Sequence, residues 1–207
     1  MNVRALHQGV HRFVLEEIAP ERWRNGGGWT RTIAAGGAAG EAIWRVSVAD
    51  IAKGAAFSTF PGMNRTAVLI DGSALELVCK DDPPVLVEPG RTCSFPGEAQ
   101  LHALPLNKDV GRPTRLWNVM VRRGVAKAQA SLRDDIVLFP SRSVAVVMIL
   151  KGQYCLTTTE TNPGEVDRPL LQLVAGEGLY LEANSQPLML LPLHPDCNMV
   201  WTDIQPA

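Results

Sequence analysis

Turn formers recur about every ten residues along this chain, and that spacing leaves no room for a long helix. With 18 glycines and 15 prolines, the sequence is cut into short runs rich in Val, Leu, Ile and Thr. These runs are Trp44–Ala49, Thr66–Ile70, Leu75–Cys79, Val85–Val87, Leu116–Val121, Val144–Leu150, Tyr154–Thr158, Leu170–Val174 and Leu188–Leu191. β-Branched and apolar runs bounded by Gly, Pro, Asn and Asp predict strands, and many of them in series predict an all-β sandwich or barrel. One turn of helix is expected near Val14–Ile18.

The runs also repeat. Thr66–Leu77 and Val146–Thr157 each read as an apolar strand, a charged residue and Gly at a turn, then an alternating strand. Leu86–Phe95 and Leu173–Leu181 continue the echo with strand, turn glycine and strand. This is the hairpin order of a cupin-type double-stranded β-barrel. Two copies predict a bicupin, two cupin-like barrels or sandwiches in one chain. The expected halves are 1–133, which carries the polar motifs, and 134–207, mainly scaffold, with some N-terminal strands able to pair into the second half.

Composition narrows the partners. The formal net charge is -1 and no basic block is present, so nucleic acid and anionic membranes find no electrostatic footprint. The longest apolar run, Val144–Leu150, is too short to span a bilayer. Met1–Val14 lacks a continuous apolar core of the secretory type. Cys79, Cys93, Cys155 and Cys197 form no C-x-x-C pair, which argues against a zinc knuckle or redox dithiol. A cytoplasmic protein with free thiols is expected, monomeric or homodimeric, since a bicupin can make within itself the pairing that single cupins make as dimers.

The polar features cluster in the first half. Trp23–Thr30 holds Asn25, Gly26, Gly27 and Gly28 between two tryptophans. Consecutive glycines suit a bend where bare backbone approaches another group, either a tight turn or a ligand loop. In the strand Trp44–Ala49, side chains alternate faces, so Arg45 and Ser47 share one face and Trp44, Val46 and Val48 the other. Asn118, Met120 and Arg122 likewise share a face of Leu116–Val121. Between these strands, Phe57–Arg65 supplies Phe57, Ser58 and Arg65, and Glu98 and His102 follow the Phe95-Pro96-Gly97 turn. Each polar face either meets solvent or lines a cavity.

A metallocupin site needs a His-x-His with further imidazole and carboxylate ligands. His7, His11, His102 and His194 offer no such pair, so no metal or other cofactor is expected. No Gly-x-Ser-x-Gly elbow or phosphate-binding glycine fingerprint is present either. Carboxylate recognition is what remains. A guanidinium presents a planar fork to a carboxylate and keeps its charge when desolvated. Arg45 and Arg65 fit that role, with Ser47, Asn118 and the glycine-loop amides beside them, and Trp23, Trp29 or Phe57 stacked on a flat ring. In the structural alternative, Arg45 and Arg65 pair with Glu98 or Asp50 and stitch the sheets together.

In order along the chain, Trp23–Thr30, Trp44–Ala49, Phe57–Arg65, Phe95–Glu98 and Asn118–Gly124 resemble the motifs of the HutD/Ves family. The resemblance covers roughly residues 10–125 by motif and the remainder by pattern. It implies a bicupin-like β-fold and a role in bacterial histidine utilisation. Members act as governors of that pathway, through binding of a small intermediate, and a second branch is linked to stress responses. One position departs. The family carries an acidic residue two places before the motif Asn, where this chain has Leu116, which puts the identity of the ligand in question.

Three readings follow. The first is a non-enzymatic regulator that binds a small anionic metabolite, such as urocanate or a formyl- or formimino-glutamate. Its pocket would be built from Asn25, Gly26, Gly27, Gly28, Arg45, Ser47, Phe57, Ser58, Arg65, Glu98, His102, Asn118 and Arg122. The second is a metal-free cupin isomerase or hydrolase acting on a small carboxylic acid, with Glu98 or His102 moving a proton. The third is a structural bicupin whose polar strand faces are simply wet.

Overall fold

The computed structural model describes residues 4–7, 9–38, 41–80, 83–106, 113–159, 169–183, 185 and 187–207. In chain order the first strands are β1 (Arg4–His7), β2 (Val10–Val14), β3 (Glu21–Arg22), β4 (Gly28–Ala38), β5 (Glu41–Ile51), β6 (Ala55–Ala56) and β7 (Met63–Asp71). Next come β8 (Leu75–Cys79), β9 (Val85–Val87), β10 (Thr92–Pro96), β11 (Leu101–Pro105), β12 (Thr114–Arg122) and β13 (Ala126–Arg133). The last are β14 (Val137–Leu138), β15 (Val144–Lys151), β16 (Gln153–Thr158), β17 (Leu171–Val174), β18 (Glu177–Leu181), β19 (Leu188–Pro192) and β20 (Asn198–Pro206). The helical content of the described residues is one 3-10 turn, Leu15–Glu17, where the sequence predicts a turn of helix. No described helix is long and apolar enough to cross a membrane.

The chain divides into two compact units. One spans 19–131 with 206–207, and the other combines 1–18 with 132–205. The motif-bearing unit holds a six-stranded sheet, β10-β7-β12-β5-β4-β3, and a four-stranded sheet, β6-β11-β8-β9. The C-terminal unit holds a sheet through β1-β2-β18-β15-β20 and a second one, β14-β19-β16-β17. Strand for strand, β7 to β12 and β15 to β20 have the same connectivity. In each, the first strand of the series pairs with the fourth and sixth, and the second pairs with the third and fifth. The hairpin glycines of the sequence echo, Gly72 and Gly152, sit at φ +91° and +79°, a region open to glycine at little cost.

No pairing among the described residues joins the two sheets of either unit. Each unit is thus described by two packed sheets without barrel closure, the sandwich form of the two that the sequence reading allowed. The sandwiches fill as alternation requires. In the C-terminal unit Ala145, Val147 and Ile149 from one sheet meet Leu156, Leu173 and Leu190 from the other. In the motif-bearing unit Ala49, Ile51, Leu69 and Leu116 meet Leu75, Leu77, Val87 and Ala103.

Candidate functional site

The six-stranded sheet carries two kinds of residue on its inner face. Cross-strand partners point to the same side of an antiparallel sheet, so the register lays out that face in rungs. One rung reads Ala49, Leu116, Leu69 and belongs to the apolar core. The next reads Ser47, Asn118, Ala67, and the one beyond it Arg45, Met120, Arg65, with Phe95 beside Arg65 on β10. The sandwich is thus dry at one end and polar at the other. On the opposite face of the sheet, Trp44, Val46, Val48, Trp117 and Val119 are all buried.

Above the polar rungs lies a cavity of about 480 Å³, within the range of small-molecule sites. Of the thirteen candidate residues, it gathers Asn25, Arg45, Ser47, Phe57, Ser58, Arg65 and Asn118. It also brings in Glu21, Arg22, Arg24, Phe60 and Leu116, which the sequence reading left out of the site. Trp23 and Thr30, flanking the glycine run, complete that wall, and Trp23 Nε1 donates to Thr30 Oγ1 at 2.7 Å.

Arg65 is the centre of this arrangement. It is only 7 % exposed, and its guanidinium lies 5.0 Å from the ring of Phe57, 5.6 Å from Phe60 and 4.9 Å from Phe95. Its hydrogen bonds go to neutral acceptors and are long. Nε and Nη2 share Asn118 Oδ1 at 3.4 and 3.2 Å, and Nη1 reaches the Ser58 carbonyl at 3.3 Å. A guanidinium–carboxylate bond runs about 2.7–2.9 Å, so Arg65 is under-satisfied. Burial, reinforced by the like charge of Arg45, pulls its pKa down to about 10, against a smaller upward pull from the Cys93 thiol.

Arg45 repeats the pattern. Its guanidinium lies 5.2 Å from Phe60, and its buried Nε has no hydrogen-bond partner. Burial lowers its pKa too, with Glu21 opposing. Neither arginine has a carboxylate within ion-pair distance among the described residues. The acids that the structural alternative assigns to them are engaged elsewhere. Buried Asp50 is bridged by Arg31 and by Arg115, the latter at 2.9 Å, and Glu98 pairs with Arg123 at 2.9 Å.

The glycine loop forms part of the wall, but its glycines serve the backbone. Gly26 N donates to the Trp23 carbonyl and Gly27 N to Asn25 Oδ1, each at 3.0 Å. A Cβ on Gly27 would fall 2.1 Å from the Ala55 Cβ, and one on Gly28 would fall 2.3 Å from the Asp50 carbonyl oxygen. Close approach of chain to chain explains Gly27 and Gly28, a φ of +68° explains Gly26, and none of the three glycines lines the cavity. The Asn25 amide is tied as well, donating to the Ala56 carbonyl at 2.9 Å.

Three further candidates stand apart from the cavity. The Pro96–Gly97 turn directs Glu98 outward, where it accepts from Gly62 N at 2.7 Å and from Arg123. Those bonds pull its pKa down to about 2, so they are kept at neutral pH and lost only as acid titrates the carboxylate. His102 occupies the exposed position of β11 between buried Leu101 and Ala103, in the smaller sheet. Arg122 shares a face with Asn118 but lies one rung past Met120, opposite Met63 at the end of β12.

A metal is not supported by this lining. It contains one carboxylate, Glu21, and no imidazole, and no group of three His, Cys, Asp or Glu converges among the described residues.

The C-terminal unit shows what fills the corresponding space there. Ala145 stands where the repeat places Arg65. Trp201, opposite Val147, stands where Asn118 lies opposite Ala67. Phe139 follows β14 as Phe57 follows β6, and its ring packs 5.1 Å from that of Trp201. Aromatic volume occupies this space.

The strand order and the inner polar cavity define an all-β protein of cupin-like fold. In agreement, the chain is similar to a Cupin 2 conserved barrel domain protein from Leptotrichia buccalis (TM-score 0.57, 11 % identity, 95 % of this chain and 96 % of that one). It belongs to the HutD/Ves family: the HutD family model matches residues 15–188. The chain is also 32 % identical over 142 residues to Protein Ves from Escherichia fergusonii, covering 68 % of this chain and 72 % of that protein. Its fold is similar to that of HutD from Pseudomonas fluorescens SBW25 (TM-score 0.76, 18 % identity, 96 % and 99 % of the two chains).

Proposed function

We propose that this protein binds a small anionic metabolite in the cavity of the motif-bearing unit, and that this binding governs histidine utilisation. The observation that carries the reading is the pair Arg45 and Arg65: two largely buried guanidiniums facing one cavity, neither with a carboxylate partner. A buried cation without a counter-charge is costly, and a ligand carboxylate relieves both at once. The aromatic rings of Trp23, Phe57 and Phe60 suit a flat ligand body. The pathway assignment comes from family membership, and urocanate and formyl- or formimino-glutamate are the acids of the right size and charge. The proton-transfer reading loses its two groups, since Glu98 and His102 lie outside the cavity. A two-cupin arrangement with one binding unit and one filled unit completes the proposal.

A thermal-shift panel of these acids, with histidine and imidazole as controls, tests it. A ligand at 100 times its Kd adds about 2.7 kcal/mol of stability, so one of the acids should raise the melting temperature by several degrees and the controls should not. Glu98→Gln and His102→Ala should keep that shift, because both positions are exposed and outside the lining. No shift with any of the acids would contradict the reading.

A further inference from the structure

The cavity lining includes one acid among the described residues, and its position is informative. Glu21 on β3 pairs with Thr30 of β4, which pairs with Ala49 of β5. It therefore shares the inner face with Arg45 and Ser47. Its rung meets β5 four residues from Arg45, on the order of 13 Å along the strand at ~3.3 Å per residue. Two long side chains shorten that gap without closing it: the pair makes no ion pair, yet the Glu21 charge is felt at Arg45. The neighbouring Arg22 does not neutralise Glu21. It lies on the alternate face of β3, with its guanidinium 5.5 Å from the Trp29 ring.

The cavity thus presents two buried guanidiniums at one end and a carboxylate toward the other, beside apolar Ala49 and Leu116, with the Ser47–Asn118 rung between them and Arg24 also in the lining. A ligand with a carboxylate alone would satisfy the first end and leave the second facing its apolar tail. We propose that Glu21 sets the ligand class: the cavity takes a small acid that bears a nitrogen-borne hydrogen, neutral or cationic, at the end away from its carboxylate. This rests on the carboxylate reading above and adds a polarity to it. Glu21 then acts as a specificity determinant, favouring acids whose far end donates a hydrogen bond over those whose far end only accepts one.

Titration calorimetry of the full chain with two acids of matched shape tests this. The probes are trans-urocanate and trans-3-(2-furyl)acrylate, in which a furan oxygen stands in place of the imidazole N–H. Urocanate should bind about tenfold more tightly, the effect of one hydrogen bond to a charged acceptor. The gap should widen toward about pH 6, where an imidazole gains its proton. Glu21→Ala should bring the two affinities together by weakening urocanate alone. Glu21→Gln, which still accepts a hydrogen bond but carries no charge, should keep part of the gap and lose its widening at low pH. Equal affinities in the unaltered protein, a gap that survives Glu21→Ala, or a parallel change in both affinities would overturn the proposal while leaving the carboxylate reading intact. Binding of neither acid would end both.

Discussion

Arg65→Met should weaken binding of the carboxylate ligand by about a hundredfold or more while leaving the protein folded. Removing one partner of a buried charge pair costs about 2–5 kcal/mol in complexes, and each 1.4 kcal/mol is about tenfold. Stability should respond differently. Arg65 is 7 % exposed, and a pKa pulled down by burial from the ordinary guanidinium value to about 10 marks its charged form as disfavoured in the fold by on the order of 3 kcal/mol. Because the group is a base with a depressed folded pKa, this penalty operates in full below pH ~10 and fades only between there and the unfolded value. Methionine removes it, and also removes the contacts with Phe57, Phe60 and Phe95, worth roughly 0.5–2 kcal/mol each. The two effects oppose, so the melting temperature should move by only a few degrees. Calorimetric titration and a melting curve on one sample check both halves. A large loss of stability with affinity retained would make Arg65 a structural residue.

Gly28→Ala should destabilise the protein severely, by about 3 kcal/mol. In a chain of this length that lowers the melting temperature by roughly 6–12 °C. The new Cβ would sit 2.3 Å from the Asp50 carbonyl oxygen and 3.4 Å from Ile51 Cα, and both belong to the β5 backbone that builds the cavity floor. Neither strand can give way without shifting the rungs that carry Ser47 and Arg45. Gly26 provides the contrast. It has φ +68°, and the nearest atom to a Cβ there is the flexible end of Arg22 at 3.9 Å, so Gly26→Asn, which tolerates that conformation, should cost under about 1 kcal/mol. Equal effects at the two positions would mean that backbone flexibility, and not close packing, requires the run.

This contrast also bears on what the sequence reveals. The triple glycine marks the right wall of the cavity for the wrong reason. Sequence shows that bare backbone must approach something there, but not whether that is a ligand or the β5–β6 corner. Arg45 and Ser47 were legible as a pair because strand alternation is local, and the same holds for Asn118. Arg65 was legible by type, but its ring of Phe57, Phe60 and Phe95 is assembled from the loop after β6 and from β10, and no spacing announces it. Glu21 and Arg24 were missed because β3 is two residues long and has no apolar pattern. β4 was missed for a related reason. Its Ala- and Gly-rich end reads as loop, yet Gly36 is small because the Trp44 ring lies 2.4 Å from where its Cβ would be. Glu98 and His102 lie outside the cavity lining, because nearness in sequence to a motif turn says nothing about direction. A single turn separates a residue facing the cavity from one held outside by Arg123.

The decisive measurement is a crystal structure grown with the acid that gives the largest thermal shift. Both guanidiniums, at positions 45 and 65, should donate to its carboxylate oxygens at about 2.7–2.9 Å, with Asn118 keeping its place beside them. An acid bound with its carboxylate away from these two side chains, or found outside the motif-bearing unit, would contradict the account.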